Sequence, residues 1–346
     1  MILKNKEKIG QFGEQLKEIY NDNLGLYKAL FVDERPVERS LISDELYDSM
    51  SALGIATGSD EVRSNIRILN LDGAFFATDH VSYQGNEQSE GMVMPFYPEN
   101  TYLSDEMRIE GGESVLEIGI GSGVNSILAV LRGADKVTAL DVNPRTFDYT
   151  RFNMALNGVE ESKIELILNE SMSLDDLLKP VSGKKFDYVI TNPPFEYGRD
   201  DETQLRNSSS GNDGLDMIRA IMAQVDDYLS PVGRMQMVYF APGTEEGPTE
   251  LIEVAKSLRD GSVEVKYREN SMKTKDFVDE NVGTSIKIPK EHEFYWTGML
   301  HYSKGDSGLK IIPDGLENDW HLPISSKVPM MEKHDQIDVV YRGESK

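Results

Sequence analysis

The sequence predicts an α/β protein built on a doubly wound, mostly parallel sheet. Strand-like and helical stretches alternate from residue 115 to residue 240, and such alternation implies right-handed crossovers between parallel strands. A glycine-rich turn, residues 119–123, follows the first strand, and Asp141 lies at the end of the second. Both features stand at carboxyl ends of strands, where open α/β sheets bind their ligands.

Apolar runs rich in β-branched and aromatic residues mark the strands, and amphipathic stretches between them mark the helices. The seven predicted strands are VLEIGI (115–120), KVTALDV (136–142), KIELIL (163–168), FDYVITN (186–192), RMQMVYF (234–240), VEVKYRE (263–269) and EFYWTGMLHYS (293–303). The predicted helices cover 123–132, 144–157, 172–179 and 214–229.

A smaller mixed α/β unit is predicted before this sheet. Residues 1–20 form an amphipathic helix, because their apolar side chains recur at helical spacing. Residues 43–54 form a second helix with Ser43 as its N-cap. From Ile66 to Tyr83 the pattern is extended and contains an LDG turn.

These patterns divide the chain into three parts. Residues 1–92 are predicted to be an N-terminal cap that takes part in substrate recognition, and residues 93–303 are predicted to be the cofactor-binding catalytic domain. Residues 304–346 are rich in loops and are expected to form a C-terminal extension.

Composition and charge disfavour several classes of protein. The 346 residues include 60 acidic and 36 basic side chains, which gives a formal net charge of −24. This excess of acids disfavours broad contact with a phosphate backbone, so nucleic acid is not expected as a partner. The absence of cysteine excludes disulfides and thiolate ligands. The five histidines are scattered, so no metal site is predicted.

The hydropathy pattern indicates a protein that neither spans nor contacts a membrane. No apolar run approaches the roughly 20 residues that a bilayer-spanning helix requires. The amino terminus, MILKNKEKIGQFGEQLKEIY, contains no apolar signal core. A cytoplasmic protein is therefore expected.

The spacing of the glycine-rich turn distinguishes between nucleotide-binding loops. A dinucleotide fingerprint, G-x-G-x-x-G, would need glycine where Val124 stands, and a phosphate-loop ATPase would need Lys-Ser/Thr after the glycines. The observed pattern is instead E-x-G-x-G-x-G, from Glu117 to Gly123. Glycines let a backbone approach a ligand closely, and Asp141 could accept both hydroxyls of a ribose. A tight turn without a ligand is the alternative interpretation.

A second motif, Asn192-Pro193-Pro194-Phe195, ends the predicted strand 186–192. Two prolines end a strand and stiffen the turn. The Asn side-chain oxygen and a Pro carbonyl can accept hydrogen bonds from both N–H groups of an amide or an aromatic amine. This arrangement would turn the nitrogen lone pair toward an electrophile, while Phe195 packs on the planar group. A stiff turn with a core aromatic is the alternative.

The combined pattern resembles the class I S-adenosylmethionine-dependent methyltransferases. The resemblance implies a Rossmann-like methyltransferase sheet of seven strands with the last one antiparallel. It also implies S-adenosylmethionine as cofactor and an N-methyltransferase with Asn192, Pro193 and Phe195 as its catalytic residues. Asn192 is also expected to contact the cofactor. The other cofactor-binding residues that it implies are Glu117, Gly119, Gly121, Gly123, Asp141, Asn169 and Glu170.

Two further segments are similar to the release-factor glutamine methyltransferase (HemK/PrmC) family. GNDGLDMIR (211–219) is similar to its G-x-D-G-L-x-x-x-R segment, and residues 98–101, PENT, are similar to its R-P-E-T-E stretch with Tyr97 in place of Arg. On this resemblance Thr101 is expected to bind the cofactor. Pro194, Tyr97 and Asp213 are expected to contact the substrate.

The acceptor predicted from the sequence is an amide, guanidino or amino nitrogen of a small molecule, a peptide or another amino-acid-like substrate. Three alternatives remain open: methylation of protein glutamine, methylation of an RNA or DNA base, and an inactive binding protein that keeps the fold. The acidic composition and the long segments outside the motifs favour a compact substrate, whereas GNDGLDMIR favours protein glutamine.

Overall fold

The structure is a computed structural model. It describes residues 5–80, 91–94, 98–171, 173–195, 210–256, 261–268, 271–275, 288–305 and 308–313. Within these ranges no helix is both long and apolar enough to cross a membrane.

The N-terminal part contains four α-helices and two small antiparallel sheets within the described residues. Its elements are α1 (Lys6–Asp22), α2 (Leu24–Phe31), β1 (Val37–Glu38), α3 (Asp44–Ala52), β2 (Ala56–Thr57), β3 (Glu61–Ser64), β4 (Arg67–Leu71), β5 (Ala74–Thr78) and α4 (Pro98–Glu106). The two sheets are β1-β3-β2 and β4-β5. The hydroxyl of Ser43 caps α3 by accepting a hydrogen bond from the Leu46 N–H, as predicted. The LDG turn joins β4 to β5 in a hairpin, and Gly73 has the positive φ that such a turn requires.

The central part alternates strands and helices and then ends in strands. Its elements are β6 (Ser114–Ile118), α5 (Val124–Leu131), β7 (Lys136–Asp141), α6 (Pro144–Leu156), β8 (Ile164–Leu168), β9 (Phe186–Thr191), α7 (Asp216–Gln224), β10 (Leu229–Gly243), α8 (Thr249–Ala255), β11 (Gly261–Tyr267), β12 (Met272–Lys273), β13 (Phe294–Lys304) and β14 (Gly308–Pro313).

These strands form one sheet in the order β14-β11-β13-β10-β9-β6-β7-β8, and β12 pairs with β13. Five neighbouring strands, β10, β9, β6, β7 and β8, are parallel to one another. Strand β13 lies between β10 and β11 and is antiparallel to both. The predicted fold is therefore confirmed, including the antiparallel last strand of the predicted seven. The sheet has two more strands, β12 and β14.

Helices cover both faces of the sheet, and alternate residues of each strand pack beneath opposite layers of helices. Val115 of β6 packs in the core beneath α5 and α6. The next residue, Leu116, packs in the core beneath α7 and α8. A third core joins α1, α2 and α3 to α6, where Tyr149, Phe152 and Leu156 pack among the N-terminal side chains.

Two of the four helices predicted for the central part differ from the observed structure, and the helix predicted over 1–20 is observed as Lys6–Asp22. The stretch predicted as a helix over 172–179 contains one 3₁₀ turn, Leu174–Asp176, and a second, Lys179–Val181, begins at its end. Pro180 explains this difference, since proline disfavours α-helical geometry at the residue before it. The helix predicted at 214–229 begins only at Asp216, because Gly214 has a φ of 77°.

Candidate active site

The glycine loop leaves β6 and turns sharply beneath open space. Gly119 and Gly121 have φ values of 78° and 54°, a region that favours glycine. The N–H groups of Gly119 and Ile120 donate to the Leu140 carbonyl at 2.9 and 3.0 Å, which holds the loop against β7. A Cβ built on Gly119 or Gly121 would meet no atom of the described residues within 4 Å. A ligand could therefore approach this backbone closely.

Gly123 has a different reason to be glycine. Its φ is 86°, and α5 begins at the next residue. A Cβ at this position would lie 2.8 Å from Cγ2 and 2.9 Å from Oγ1 of Thr150 on α6. Gly123 thus allows the loop to pass directly against α6, so the shape of the loop depends on that helix.

Glu117 lies on β6 and is fully buried beneath the loop. Asn125 Nδ2 donates to its Oε1 at 3.0 Å, and the Ser126 hydroxyl donates to its Oε2. Burial raises the pKa of Glu117 to about 7, although these hydrogen bonds oppose the increase. Glu117 therefore ties the strand before the loop to the first turn of the helix after it.

Asp141 ends β7 and faces the loop. Its Oδ2 accepts the Gly121 N–H at 3.0 Å, and its Oδ1 accepts the Asn143 N–H at 2.8 Å. Burial raises the pKa of Asp141, and the two backbone hydrogen bonds partly offset this effect. Asn143 in turn caps α6 by accepting the Arg145 N–H at 3.0 Å. The carboxylate is thus fixed at the strand end predicted for a ribose acceptor.

Asn169 and Glu170 follow β8 on the same edge of the sheet, but their environments differ. The buried Asn169 side chain donates to the Leu177 carbonyl at 3.1 Å and accepts the Ser171 N–H at 3.1 Å. Its carboxamide therefore stabilises the turn after β8. Glu170 is exposed.

The Asn192–Phe195 turn begins where β9 ends, beside the glycine loop. Thr191 pairs in parallel register with Ile118, and its Oγ1 donates to the Ile118 carbonyl at 2.9 Å. Asn192 and Gly119, each one residue farther along, therefore leave the sheet side by side. The Asn192 side chain is half-buried and has no hydrogen-bond partner among the described residues.

Three distant segments hold Phe195 in place. Its ring stacks on Phe240 with centroids 4.0 Å apart and an interplanar angle of 28°. Its carbonyl accepts the Tyr295 hydroxyl at 2.6 Å. A Cβ on Gly214 would lie 2.5 Å from that carbonyl. The GNDG loop therefore packs directly against the turn that carries Asn192.

Asp213, predicted to contact substrate, lies in that loop and is paired internally. It accepts the Leu215 N–H at 3.0 Å and forms an ion pair with Arg219. Burial raises the pKa of Asp213, but the hydrogen bonds from Arg219 and Leu215 and the charge of Arg219 together bring it below its usual value. Asp213 thus helps to shape the loop that supports Phe195.

Thr101 and Tyr97 belong to the PENT region. Thr101 lies on α4, a helix that packs against α5, and its buried hydroxyl has no hydrogen-bond partner among the described residues. Tyr97 lies outside the described residues.

The site fits S-adenosylmethionine in its donor set and its free space. Gly119 and Gly121 leave the backbone uncovered, and the Asp141 carboxylate provides an acceptor for ribose hydroxyls. Both groups stand at carboxyl ends of neighbouring parallel strands, β6 and β7. The loop glycines and Asp141 would hold the cofactor with Asn192 beside it, and the buried Glu117 would hold the loop in shape from beneath.

Sequence reasoning missed the residues that support the motifs from a distance. Phe240 and Tyr295 were predicted only as strand residues, and Asn125 and Ser126 only as part of a helix. One signal was available for Phe240, because it is the last residue of the predicted strand 234–240 and so lies at a carboxyl end. Nothing local marked Tyr295, which follows Phe195 by 100 positions.

Over part of its length, the chain is similar to known methyltransferases. The family model of ribosomal protein L11 methyltransferase (PrmA) matches residues 102–193. A Methanocaldococcus jannaschii protein that bears the name "Putative protein N5-glutamine methyltransferase" is 32% identical over 130 residues, which cover 36% of this chain and 61% of the relative. The tRNA1(Val) (adenine(37)-N6)-methyltransferase of Shewanella woodyi is 24% identical over 149 residues, which cover 43% of this chain and 60% of the relative.

This chain thus spans about 60% of the length of these two relatives. Among solved structures, the M. jannaschii tRNA m1G37 methyltransferase superposes on 87% of this chain over 79% of its own residues, at 14% identity and a TM-score of 0.42. In its strand order, its glycine loop and these sequence matches, the central part of the chain is similar to the class I S-adenosylmethionine-dependent methyltransferases.

Proposed function

We propose that this protein transfers a methyl group from S-adenosylmethionine to a planar amide nitrogen of an amino-acid-like group, either free or within a protein. One observation carries the proposal: the Asn192–Phe195 turn emerges beside the glycine loop, on neighbouring parallel strands. The site that would hold the methyl donor and the residues that would orient a nitrogen therefore share one edge of the sheet.

The proposed chemistry requires orientation of the acceptor rather than a strong base. S-adenosylmethionine supplies an electrophilic methyl group when bound. The Asn192 side-chain oxygen and the Pro193 carbonyl accept hydrogen bonds from the acceptor N–H groups, which turns the nitrogen lone pair toward that methyl carbon. The same acceptors stabilise the positive charge that develops on nitrogen. The carbon–nitrogen bond forms as the sulfur–carbon bond breaks, and a nitrogen-bound proton then leaves to solvent.

The structure supports these roles through the rigidity of the turn. The Phe195 ring is fixed by Phe240 and its carbonyl by Tyr295, so the turn is preorganised for the acceptor. The Asn192 side chain, which has no hydrogen-bond partner within the described ranges, could accept the nitrogen's hydrogen bonds. We also propose that Pro194, Asp213 and Tyr97 contact the substrate.

The remaining assignments concern the cofactor and the parts of the chain. We propose that Asp141, Gly119 and Gly121 contact the cofactor and that Glu117 and Gly123 take part by holding the loop in shape. We place Thr101, Asn169 and Glu170 around its adenosine. We also propose that residues 1–92 form the part that recognises the substrate and that residues 304–346 form an extension of the catalytic domain. Similarity to a protein named for N5-glutamine methylation supports an amide acceptor.

A second candidate is the exocyclic amino group of an adenine in RNA. Two observations favour it: the relatives named as tRNA adenine-N6 methyltransferases, and the stacked Phe195, which could pack on a base as well as on an amide. The formal net charge of −24 weighs against it.

The test is transfer of a labelled methyl group from S-adenosylmethionine into a cell lysate that is then separated into protein, nucleic-acid and small-molecule fractions. Label in protein or in small molecules supports an amino-acid-like acceptor, and alkaline hydrolysis of the product would distinguish an amide from an amine. Label in nucleic acid would replace the first proposal with the second. Label in no fraction, despite measurable cofactor binding, would contradict the proposed activity.

The variant Asn192→Ala provides the matched control for this assay. Because Asn192 would act on the nitrogen in the transition state, we expect turnover to fall by about 100-fold or more. Cofactor affinity, measured by calorimetry with S-adenosylhomocysteine, should stay within about twofold of wild type. Unchanged turnover would remove Asn192 from the mechanism.

A further inference from the structure

The N-terminal hairpin is attached to the catalytic part by two asparagine side chains of one helix. Asn153 on α6 accepts the Ala77 N–H at 2.7 Å and donates to the Ala77 carbonyl at 3.0 Å. Asn157, which caps the end of α6, accepts the Phe75 N–H at 2.8 Å and donates to the Phe75 carbonyl at 2.7 Å. Residues four apart lie on one face of a helix, so both carboxamides face β5.

The two carboxamides replace a neighbouring strand. Phe75 and Ala77 are alternate residues of β5, so their N–H and C=O groups point to the same edge of the strand. The other edge of β5 pairs with β4. Asn153 and Asn157 satisfy the backbone groups of the free edge, which would otherwise be costly to bury.

Asn153 makes one contact that Asn157 lacks. Its Nδ2 also donates to the carbonyl of Ser122 at 2.8 Å. Ser122 lies inside the glycine loop, and the next N–H, that of Gly123, donates to the Ile120 carbonyl at 2.9 Å. Both polar groups of the peptide bond between Ser122 and Gly123 are therefore hydrogen-bonded, the N–H within the loop and the carbonyl to Asn153.

The side chain of Asn153 is fully used and fully buried. Its two amide hydrogens serve the carbonyls of Ala77 and Ser122, and its oxygen serves the Ala77 N–H. One side chain thus joins the N-terminal hairpin to the loop where the cofactor is proposed to bind. Thr150, one turn earlier on α6, is the residue that a Cβ at Gly123 would meet, so this face of α6 lies directly against the loop.

We propose that Asn153 is a positioning residue for cofactor binding, because it fixes the conformation of the glycine loop and couples it to the N-terminal hairpin. Asn157 docks the same hairpin without touching the loop. This inference rests on the proposed function, since it assumes that the glycine loop binds S-adenosylmethionine.

Alanine variants of the two asparagines form a matched pair. Each substitution removes two hydrogen bonds to β5, one accepted and one donated by the asparagine side chain. Both variants should therefore have a lower midpoint of thermal unfolding than wild type. Only Asn153→Ala releases the Ser122 carbonyl. We expect it to weaken binding of S-adenosylhomocysteine about 10-fold or more by calorimetry, with Asn157→Ala within about twofold of wild type. Equal affinities in the two variants would overturn the inference.

A measurement on the wild-type chain covers the case in which Asn153→Ala does not fold. Hydrogen exchange at single-amide resolution, with and without S-adenosylhomocysteine, should show slower exchange at the Ala77 amide when the ligand is bound, because that amide donates to Asn153. Unchanged exchange at Ala77 on binding would contradict the coupling. Failure of the wild-type protein to bind S-adenosylhomocysteine would instead overturn the proposed function, so the two failures are distinguishable.

Discussion

At the scale of single residues, Asp141 offers the most direct test of the cofactor assignment. Its carboxylate accepts the N–H groups of Gly121 and Asn143 and would also accept ribose hydroxyls. A hydrogen bond to a charged group contributes about 1.5–3 kcal/mol. We therefore expect Asp141→Ala to weaken S-adenosylhomocysteine binding roughly 10- to 100-fold by calorimetry.

The control is Asp148→Ala, which removes an exposed acid from the same chain segment, on α6. It leaves the loop intact, so its affinity should match wild type. If Asp141→Ala also binds with wild-type affinity, the ribose assignment is wrong.

Glu117 predicts a pH dependence of stability. Its pKa is 4.5 in the reference state and about 7 in the folded protein, because burial penalises the charged form. Between these values the folded state holds more protons than the unfolded state, so rising pH lowers the free energy of unfolding. The total loss is up to about 3 kcal/mol, since one pKa unit corresponds to about 1.4 kcal/mol.

The variant Glu117→Gln isolates this effect because it cannot ionise. Urea unfolding without cofactor should show wild type losing stability relative to Glu117→Gln as the pH rises from 5 to 8. A difference between the two proteins that stays constant over this range would show that Glu117 does not titrate there.

At the scale of elements, alanine substitutions at two glycines of the loop should affect different properties, cofactor binding at Gly121 and stability at Gly123. Gly121 has open space at its Cβ position, whereas Gly123 faces Thr150 at 2.8 Å. Gly121→Ala should lower the free energy of unfolding by only about 1 kcal/mol, which is the cost of a left-handed backbone at a residue with a Cβ. It should nevertheless weaken cofactor binding about 10-fold or more, because the methyl group enters the proposed ligand space. Gly123→Ala should cost about 2–4 kcal/mol by adding overpacking against α6.

Urea unfolding and calorimetry with S-adenosylhomocysteine on both variants would separate these effects. Wild-type affinity in Gly121→Ala would mean that no ligand occupies the space above this loop. A Gly123→Ala protein as stable as wild type would show that α6 can move away from the loop.

The elements that could be predicted from sequence are those whose pattern is local. The parallel strands are continuous apolar runs bounded by turns, and the predicted ends lie within two residues of those of β6 and within one residue of those of β9. Helix α4 was not predicted, since it begins at Pro98 and its sequence, PENTYLSDE, has no clear apolar face. The edge strand β14 was missed because Leu309 and Ile311 alternate in a mostly exposed segment.

The same distinction applies to the candidate site. The glycine loop, Asp141 and Asn192 could be predicted because each motif is contiguous and its strand places it. The Tyr295–Phe195 hydrogen bond and the Asn153–Ser122 hydrogen bond could not, since they join residues 100 and 31 positions apart. Asn169 was expected at the cofactor, and its side chain is engaged by the turn backbone, a competition that only three-dimensional packing reveals.

At the scale of the whole molecule, the N-terminal part and the sheet share their packing. The core of α1, α2 and α3 includes Phe152 and Leu156 of α6. A Cβ on Gly13 of α1 would lie 2.3 Å from the Leu156 carbonyl. Helix α6 thus packs on the N-terminal helices and on the sheet, while Asn153 on the same helix contacts the glycine loop. A substrate that bound the N-terminal part would therefore contact a region that packs, through α6, on the proposed cofactor site.

Net charge provides the prediction that separates the two candidate acceptors. A chain with a formal charge of −24 should repel polyanions. We expect no binding of labelled unfractionated tRNA by fluorescence anisotropy at any NaCl concentration from 50 to 200 mM. A labelled lysine-rich peptide, as a control for electrostatic attraction, should bind at 50 mM NaCl, and its binding should weaken as the salt concentration rises.

Binding of tRNA at 50 mM NaCl that falls about 1,000-fold or more by 200 mM would indicate many phosphate contacts. It would show that a local basic surface outweighs the net charge, and RNA adenine would then become the favoured acceptor.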